Sequence, residues 1–318
     1  MNIKQPIFLR PYFREKIWGG EKLRTDFGFE IPSNHVGSAW VISGHPSGES
    51  VVTSPEFLAG YGLNEVFQKY PELFGESKDE TFPLLTKILD ANHDLSIQVH
   101  PDDKYGMRHE DDLGKRESWY IISAEPGAKI IYGHKAKTKK EFKKLIDEGK
   151  WKELLREIPV KEGEFYDVPH GMIHGIGAGV VVLETQQSSD ITYRVYDYNR
   201  TNNKGEKREL HIEQSVEVSN IPQEDPKLSI RNYEQDGGAI THYITNNYFS
   251  VYKWIVHDEL VIDLKEPYTL VTVINGKGII EIKKLAVEIE KSDSFILPNG
   301  IKKVILKGDL EIVASNPE

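Results

Sequence analysis

Four polar residues of this chain could together hold a metal ion. Gln98 and His100 lie two positions apart in the run LSIQVHPDD, so on a β-strand their side chains leave the same face. Glu117 begins the strand-like run ESWYII, and His174 lies in a turn bounded by Pro and Gly before the run VVVLET. Two imidazoles, a carboxylate and an amide oxygen, without a thiol, suit a borderline divalent ion such as Zn²⁺. Ligands drawn from strands this far apart predict a small β-barrel with the metal in its mouth.

One further histidine near this set is not expected to be a ligand. His170 and His174 have the i, i+4 spacing of a helical pair. Pro169, Gly171 and Gly175 disfavour a helix here. We therefore expect His170 to lie near the site without binding the metal.

Composition excludes several classes of protein. The 318 residues, of which 38% are hydrophobic and 28% charged, suffice for two globular domains of ordinary size. A net charge of −10 argues against nucleic acid as a partner, although a pocket can still be locally basic. The chain has no cysteine, which excludes disulfides, thiolate ligands and cysteine nucleophiles. No signal-like segment and no run of ~18 apolar residues is present, so we expect a cytoplasmic protein without a membrane partner.

Short strand-like runs separated by Gly, Pro, Asn and Asp fill most of the chain, which is the pattern of an all-β fold. Helical pattern is limited to LNEVFQKYPELFG and to a segment at about 138–157, where Phe142, Leu145 and Ile146 have i, i+3, i+4 spacing. Two prolines and a glycine pair near residues 221–238 predict a domain boundary there.

The segments around these residues resemble a known family. Type I mannose-6-phosphate isomerases, in particular their short bacterial members, have signature segments similar to PLLTKILDANHDLSIQVHPDD, GKRESWYII, VPHGMIHGIGAG, LETQQSSDITYRVYDYNR, PYFREKIWGG and VGSAWVISGHPSG. These are zinc enzymes of the cupin superfamily. The resemblance implies a mainly β fold with two cupin-like jelly-roll barrels and a small helical decoration. We expect a catalytic domain at 1–235 and a second barrel at 236–318, which has no His after His257 and should lack a metal.

The resemblance also implies roles for the candidate ligands. It implies one zinc ion per chain, held by His100, Glu117 and His174. It places Gln98 in the coordination sphere as well. Because a neutral amide is a weak zinc donor, a hydrogen bond from Gln98 to one of the ligands is the alternative.

Two charged residues are candidates for the chemistry. Arg194, which alternates with apolar neighbours in DITYRVYDY, corresponds to the family's catalytic arginine. Its fixed positive charge suits stabilisation of an enediolate, and a salt-bridged arginine at the barrel rim is the alternative. Glu184, a carboxylate in the apolar run VVVLET, is either a partner of the ligands or an acid/base group.

Three more residues fit positions implicated in phosphate or substrate contact in similar enzymes. Ser96 shares the strand face of the first two candidate ligands, and Lys87 lies in the apolar run LLTKIL. Lys115 is the third, with an exposed turn lysine as its alternative. Trp18 is assigned to packing, with lining of the site as a second option.

The implied reaction interconverts mannose 6-phosphate and fructose 6-phosphate through an enediol(ate), by moving a proton between C1 and C2. Glu184, a metal-bound water and a lysine all remain open as the group that carries the proton. The nearest alternative is a metal-dependent isomerase of unphosphorylated mannose or a related aldose. Other classes are an Fe- or Mn-binding cupin that oxidises its substrate and a non-catalytic sugar-binding cupin. The expected partner is a small-molecule sugar phosphate, and the expected assembly is a monomer or homodimer.

Overall fold

β-Strands dominate the architecture. A computed structural model describes residues 3–202 and 204–318. The strands are β1 (Ile7–Arg10), β2 (Tyr12–Gly20), β3 (Val36–Ser43), β4 (Val51–Ser54), β5 (Leu84–Ala91), β6 (Ile97–Val99), β7 (Glu117–Ala124), β8 (Lys129–His134), β9 (Leu155–Pro159), β10 (Phe165–Val168), β11 (His174–Ile176), β12 (Val180–Gln187), β13 (Tyr193–Tyr196), β14 (Arg231–Gln235), β15 (Gly238–Thr245), β16 (Phe249–Val256), β17 (Glu259–Asp263), β18 (Thr269–Ile282), β19 (Leu285–Glu290), β20 (Ser294–Leu297) and β21 (Lys303–Pro317). The mainly β fold predicted from the sequence is confirmed.

The helices are short. They are α1 (Lys22–Thr25), α2 (Leu63–Lys69), α3 (Asp103–His109), α4 (Lys139–Asp147), α5 (Trp151–Leu154) and α6 (Ile212–Val218), with 3-10 turns at Glu56–Leu58 and Pro71–Phe74. Both segments with helical pattern in the sequence therefore contain helices, and α4 and α5 form the predicted decoration between β8 and β9. Thr138 caps α4, since its hydroxyl accepts a hydrogen bond from the Glu141 amide. Phe142 and Ile146 bury the apolar face of that helix. In the described part of the chain, no helix is both long and apolar enough to span a bilayer.

Two sheets form the part of the molecule that carries the candidate ligands. One has six strands in the order β10-β7-β12-β5-β3-β2, and the other has five in the order β13-β6-β11-β8-β9. A hydrophobic core that includes Trp18, Leu89, Ile121, Ile130 and Ile176 draws residues from both sheets. The sheets thus pack face to face as a sandwich, with side chains that alternate between the core and the opposite face.

A third sheet contains the strands of the C-terminal region. Its ten strands include β14 to β21, and β1 and β4 from the N-terminal region extend it, because β1 pairs with β20 and β4 pairs with β1. β14 belongs to this sheet through its pairing with β15. Hydrogen bonds therefore join the two ends of the chain in one sheet, and the division into 1–235 and 236–318 stays a prediction.

Candidate metal centre and substrate cleft

Three buried side chains from three strand ends form the candidate metal centre. His100 follows the last residue of β6, Glu117 begins β7 and His174 begins β11. One potential ligand atom of each lies within 4.8 Å of the others, and we call these three residues the His/Glu cluster. His174 is the first residue of β11 and not part of the preceding turn, in which Gly171 adopts a φ of 75° that suits glycine.

Hydrogen bonds orient the cluster. His174 Nδ1 lies 2.8 Å from the carbonyl oxygen of Met172, so Nδ1 carries the proton and Nε2 is unprotonated. That Nε2 is 3.3 Å from Glu117 Oε1, and His100 Nε2 is 3.3 Å from Glu117 Oε2. Glu117 Oε2 is nevertheless buried without a hydrogen bond of acceptable geometry. A cation among these atoms would satisfy it.

The surroundings keep the two imidazoles neutral and the carboxyl charged. Burial, reinforced by Lys115, lowers the pKa of His100 to about 3. Burial also lowers the pKa of His174. Burial alone would raise the pKa of Glu117, but Lys115 and the two histidines hold it well below its usual range. Two neutral imidazoles and a carboxylate are the protonation states that metal binding requires, so the cluster fits a divalent ion.

Gln98 reaches this cluster and His170 does not join it. Gln98 pairs with His174 across β6 and β11, and its Nε2 lies 3.3 Å from His174 Nε2. The two ends of an amide are interchangeable by rotation, so Gln98 can offer either a donor or an oxygen at this position. His170 Nε2 instead lies 2.8 Å from Gln187 Oε1. This agrees with the interpretation of His170 as a neighbour of the site.

A cleft beside the cluster is lined by alternate residues of several strands. Its empty space, including the part that is open to solvent, is about 660 Å³. We call this space the cleft. It is lined by Arg14, Lys16, Trp18, Ser38, Trp40, Lys87, Leu89, Leu95, Ser96, Gln98, Lys115, Trp119, Ile176, Glu184, Asp190, Thr192, Arg194 and Arg208. The structure therefore brings all the predicted residues outside the cluster into one space.

Lys87, Lys115 and Glu184 form part of a buried charged wall. Lys87 Nζ lies 3.2 Å from Glu184 Oε1 and also donates to Gln186 Oε1. Lys115 is buried, with Nζ 3.4 Å from Glu117 Oε2, so its alternative as an exposed turn lysine is wrong. Burial lowers the pKa of Lys87, whereas for Lys115 the opposing effect of Glu117 outweighs burial and raises its pKa.

Trp119 joins the cluster to the cleft. Its indole N–H lies 3.1 Å from Glu117 Oε1 and 3.1 Å from Glu184 Oε2. The ring also packs edge-on against His174, with centroids 5.4 Å apart. Glu184 therefore has both carboxylate oxygens engaged, one with Lys87 and the other with Trp119.

Arg194 lies half-buried on β13 and faces the cleft. Its Nη1 donates to the carbonyl oxygen of Glu209 at 2.8 Å, and its Nε is buried without a partner. Among the described residues it has no ion pair with a carboxylate. Arg194 is therefore not a salt-bridged arginine at the rim in the described part of the chain, and its guanidinium charge is available to the cleft.

The reading of the sequence missed several charged residues that line the cleft. Arg14, Lys16, Asp190 and Arg208 all do so, and Trp18 lines it as well as packing in the core. Residues 14, 16 and 18 alternate along β2 and so share one face, but the sequence does not show that this face points inward, because Glu15 places a charge on the other face. Six basic and two acidic side chains line the cleft in the described chain, so it is positively charged in an acidic protein.

Comparison with known proteins identifies relatives over the whole chain. Residues 7–120 match the family model for phosphomannose isomerase type I, catalytic domain, and residues 239–317 match that for mannose-6-phosphate isomerase, cupin domain. A mannose-6-phosphate isomerase of Streptococcus mutans is 48% identical over 316 residues, covering 98% of each chain. One from Bacillus subtilis is 42% identical over 313 residues, 98% of this chain and 99% of the relative. The crystal structure of a Bacillus subtilis mannose 6-phosphate isomerase superposes on this chain with a TM-score of 0.96 at 43% sequence identity. The match covers 98% of this chain and 99% of that one. The cupin-like fold expected from the resemblance is confirmed, with the difference that the sheets of the described chain form open sandwiches and not the closed barrels predicted from the sequence.

Proposed function

The chain belongs to the type I mannose-6-phosphate isomerase family, and we propose that it interconverts mannose 6-phosphate and fructose 6-phosphate through an enediol(ate). The observation that carries this proposal is the buried His/Glu cluster beside a positively charged cleft. The cluster supplies ligands for a Lewis acid, and the cleft supplies charge complementary to a phosphorylated sugar. Aldose–ketose isomerisation needs both, because negative charge builds on the substrate oxygens as the proton leaves carbon.

We propose that one zinc ion is held by His100, Glu117 and His174, with the amide oxygen of Gln98 as the fourth ligand. Neutral nitrogen donors with a single carboxylate favour zinc over a hard ion such as Mg²⁺. Glu117 Oε2, which accepts no hydrogen bond, and the unprotonated Nε2 of His174 are the features that fit a metal ion here. A bound zinc ion would polarise a substrate oxygen and stabilise negative charge on it.

Arg194 is the residue proposed to meet the charge of the enediolate. Its guanidinium cannot lose its proton under these conditions and is not neutralised by a carboxylate in the described chain. Its backbone is fixed by β13, where Arg194 pairs with Gln98 of β6. The charge is therefore held close to the strand that carries the proposed amide ligand. Fixed charge of this kind lowers a barrier because it needs no reorganisation during the reaction.

The proton is carried by a titratable group that lines the cleft next to the cluster. Glu184, Lys87 and Lys115 meet that description. Glu184 and Lys87 form one ion pair, with Lys87 Nζ 3.2 Å from Glu184 Oε1. Ser96, Lys87 and Lys115 remain the predicted phosphate contacts, but each of the two lysines already faces a carboxylate. A cytoplasmic location and a monomeric or dimeric state stay predictions.

The test is metal analysis of the purified protein together with isomerisation assays on mannose 6-phosphate and on free mannose. We expect one zinc ion per chain and a strong preference for the phosphorylated sugar. Equal turnover of both sugars would favour the free-sugar isomerase. Binding of sugar without turnover by the zinc-loaded protein would favour the non-catalytic cupin.

A further inference from the structure

Most of the positive charge in the cleft is already neutralised. Four of the six cations face a carboxylate: Lys87 with Glu184 at 3.2 Å, Lys115 with Glu117 at 3.4 Å, Arg14 with Asp190 at 2.7 Å and Arg208 with Asp197 at 2.5 Å. In the part of the chain that the structure describes, the other two, Lys16 and Arg194, have no carboxylate within ion-pair distance. These two residues therefore provide the uncompensated charge of the cleft.

The backbone of β2 aims Lys16 into this space. Arg14, Lys16 and Trp18 are alternate residues of the strand, and all three line the cleft. The pairing of β2 with β3 is irregular after Arg14, and irregularities of this kind re-aim side chains next to active sites. The Lys16 amide is anchored outside the regular ladder, where it donates to the carbonyl oxygen of His35 at 2.9 Å.

Gly37 on the neighbouring strand makes room for this arrangement. A Cβ added at Gly37 would lie 2.7 Å from Lys16 Cβ, 2.8 Å from Lys16 Cγ and 2.5 Å from Trp18 Cζ3. Such distances are far inside van der Waals contact. The stem of Lys16 and the ring of Trp18 thus pack directly over the backbone of β3, which fixes the direction of the lysine side chain.

The electrostatic surroundings of Lys16 favour an anion. Burial, reinforced by Arg14, Lys87 and Arg208, lowers the pKa of Lys16 to about 8, and Asp190 only partly opposes this. Its ammonium thus lies in a positive field that an incoming anion would relieve. A phosphate dianion has both the negative charge and the acceptor oxygens to do so, whereas a sugar hydroxyl can accept a hydrogen bond but carries no charge.

We propose that Lys16 is the specificity-determining residue for the phosphorylated sugar, its ammonium group binding the phosphate in the part of the cleft lined by Arg14 and Arg208. This rests on the proposed function, since it identifies the group that selects its substrate. The charges of Lys87 and Lys115 are already compensated by Glu184 and Glu117, so these two lysines contribute less to the selection of a phosphate. Arg194, the other unpaired cation, is left to the reacting end of the sugar.

The test compares Lys16→Met, Lys16→Gln and Lys16→Arg with Lys140→Met, which removes a lysine charge from the exposed face of α4. Each zinc-loaded variant is assayed for KM and kcat with mannose 6-phosphate. Calorimetry measures the Kd of inorganic phosphate, and circular dichroism checks the fold. Because a hydrogen bond between charged groups is lost, both neutral variants should raise KM and the phosphate Kd by roughly ten-fold or more, with kcat within a few-fold of wild type. Lys16→Arg should restore most of the affinity, and Lys140→Met should resemble wild type.

Values of KM and phosphate Kd within two-fold of wild type in the folded neutral variants would overturn the proposal. So would a loss of kcat at unchanged KM, which would assign Lys16 to the chemistry instead. The calorimetric arm does not depend on turnover. If the wild type proved inactive on mannose 6-phosphate, the proposed function would fail, while the phosphate Kd would still decide whether Lys16 binds phosphate.

Discussion

Replacing Glu117 with Gln should destabilise the metal-free protein through the ammonium group of Lys115. Lys115 Nζ lies 3.4 Å from Glu117 Oε2, and both side chains are buried. At this separation two unit charges attract by about 5 kcal/mol for an effective dielectric constant of about 20. Glutamine keeps the shape of the side chain but removes the charge, so the ammonium is left buried with weaker compensation.

Other groups reduce this loss. Glu184 and Asp190 also favour the charged form of Lys115, so part of its stabilisation survives the substitution. Removal of one partner of a buried ion pair typically lowers the free energy of unfolding by about 3–5 kcal/mol. For Glu117→Gln we expect a loss near the lower end of this range, at about 3 kcal/mol. Lys115→Met in the same protein removes the stranded charge, so the double variant should be more stable than Glu117→Gln alone.

The assay is urea unfolding at neutral pH in the presence of a chelator, so that metal binding does not contribute. The four proteins of the cycle are wild type, Glu117→Gln, Lys115→Met and the double variant. Glu162→Gln, at an exposed turn, controls for loss of a carboxylate charge elsewhere. Suppose that the free energy of unfolding of metal-free Glu117→Gln lay within about 1 kcal/mol of the wild-type value, well below the expected loss. The buried pair would then contribute less to stability than its geometry implies.

Three further predictions concern the metal, the chemistry and pH. His174→Ala should lose both zinc and activity while remaining folded, and plasma emission spectrometry should find one zinc per wild-type chain; full occupancy in the variant would contradict the ligand assignment. Arg194→Ala should keep its zinc but lower kcat by roughly 10²-fold or more, the scale of a lost charge-stabilising donor; near-normal kcat would make Arg194 structural. Because the pKa of Lys16 is about 8, kcat/KM for mannose 6-phosphate should fall as pH rises through that value and the ammonium loses its proton. In Lys16→Arg this fall should disappear, and its persistence there would assign the titration to another group.

The candidate ligands could be identified from residue type and local spacing, but their assembly could not. The two-residue spacing of Gln98 and His100 on one strand is a local property. The meeting of His174 with Gln98 depends on the pairing of β11 with β6, which joins residues 76 positions apart. Such pairing is fixed by packing of the whole sandwich. A period-two pattern in a single strand predicts a face, but it does not predict which strand will lie beside it.

The missed residues of β2 have a different physical explanation. In YFREKIWGG, Arg14 and Lys16 point to one side, and Glu15 and Ile17 to the other. Because charged residues occur on both faces, the strand has no apolar side that would identify its inward direction. Only the half-buried state of Arg14 and Lys16 in the folded protein distinguishes the face toward the cleft.

Local sequence pattern also could not predict that β1, near the start of the chain, pairs with β20 near its end. No named strand of the described chain lies between Tyr196 and Arg231, whereas the segment 221–238 itself contains β14. Composition in that segment carries no information about β1, whose Ile7 pairs with Ile296. Sheet contacts between distant parts of the chain form only when the entropy of closing a long loop is recovered by burial. A boundary in sequence is therefore weaker evidence about which strands share a sheet.

Net charge is a poor guide to the charge of a ligand in this protein. The chain carries −10, yet the cleft is lined by six basic and two acidic side chains among the described residues. Surface carboxylates more than about 8 Å from a ligand are largely screened at physiological ionic strength. Charges in a cleft are screened much less, so Lys16 and Arg194 outweigh a larger number of distant carboxylates. A higher salt concentration should therefore change the rate at which mannose 6-phosphate binds more than it changes the interactions of the bound sugar. The reason is that salt screens the acidic exterior more strongly than the interior of the cleft.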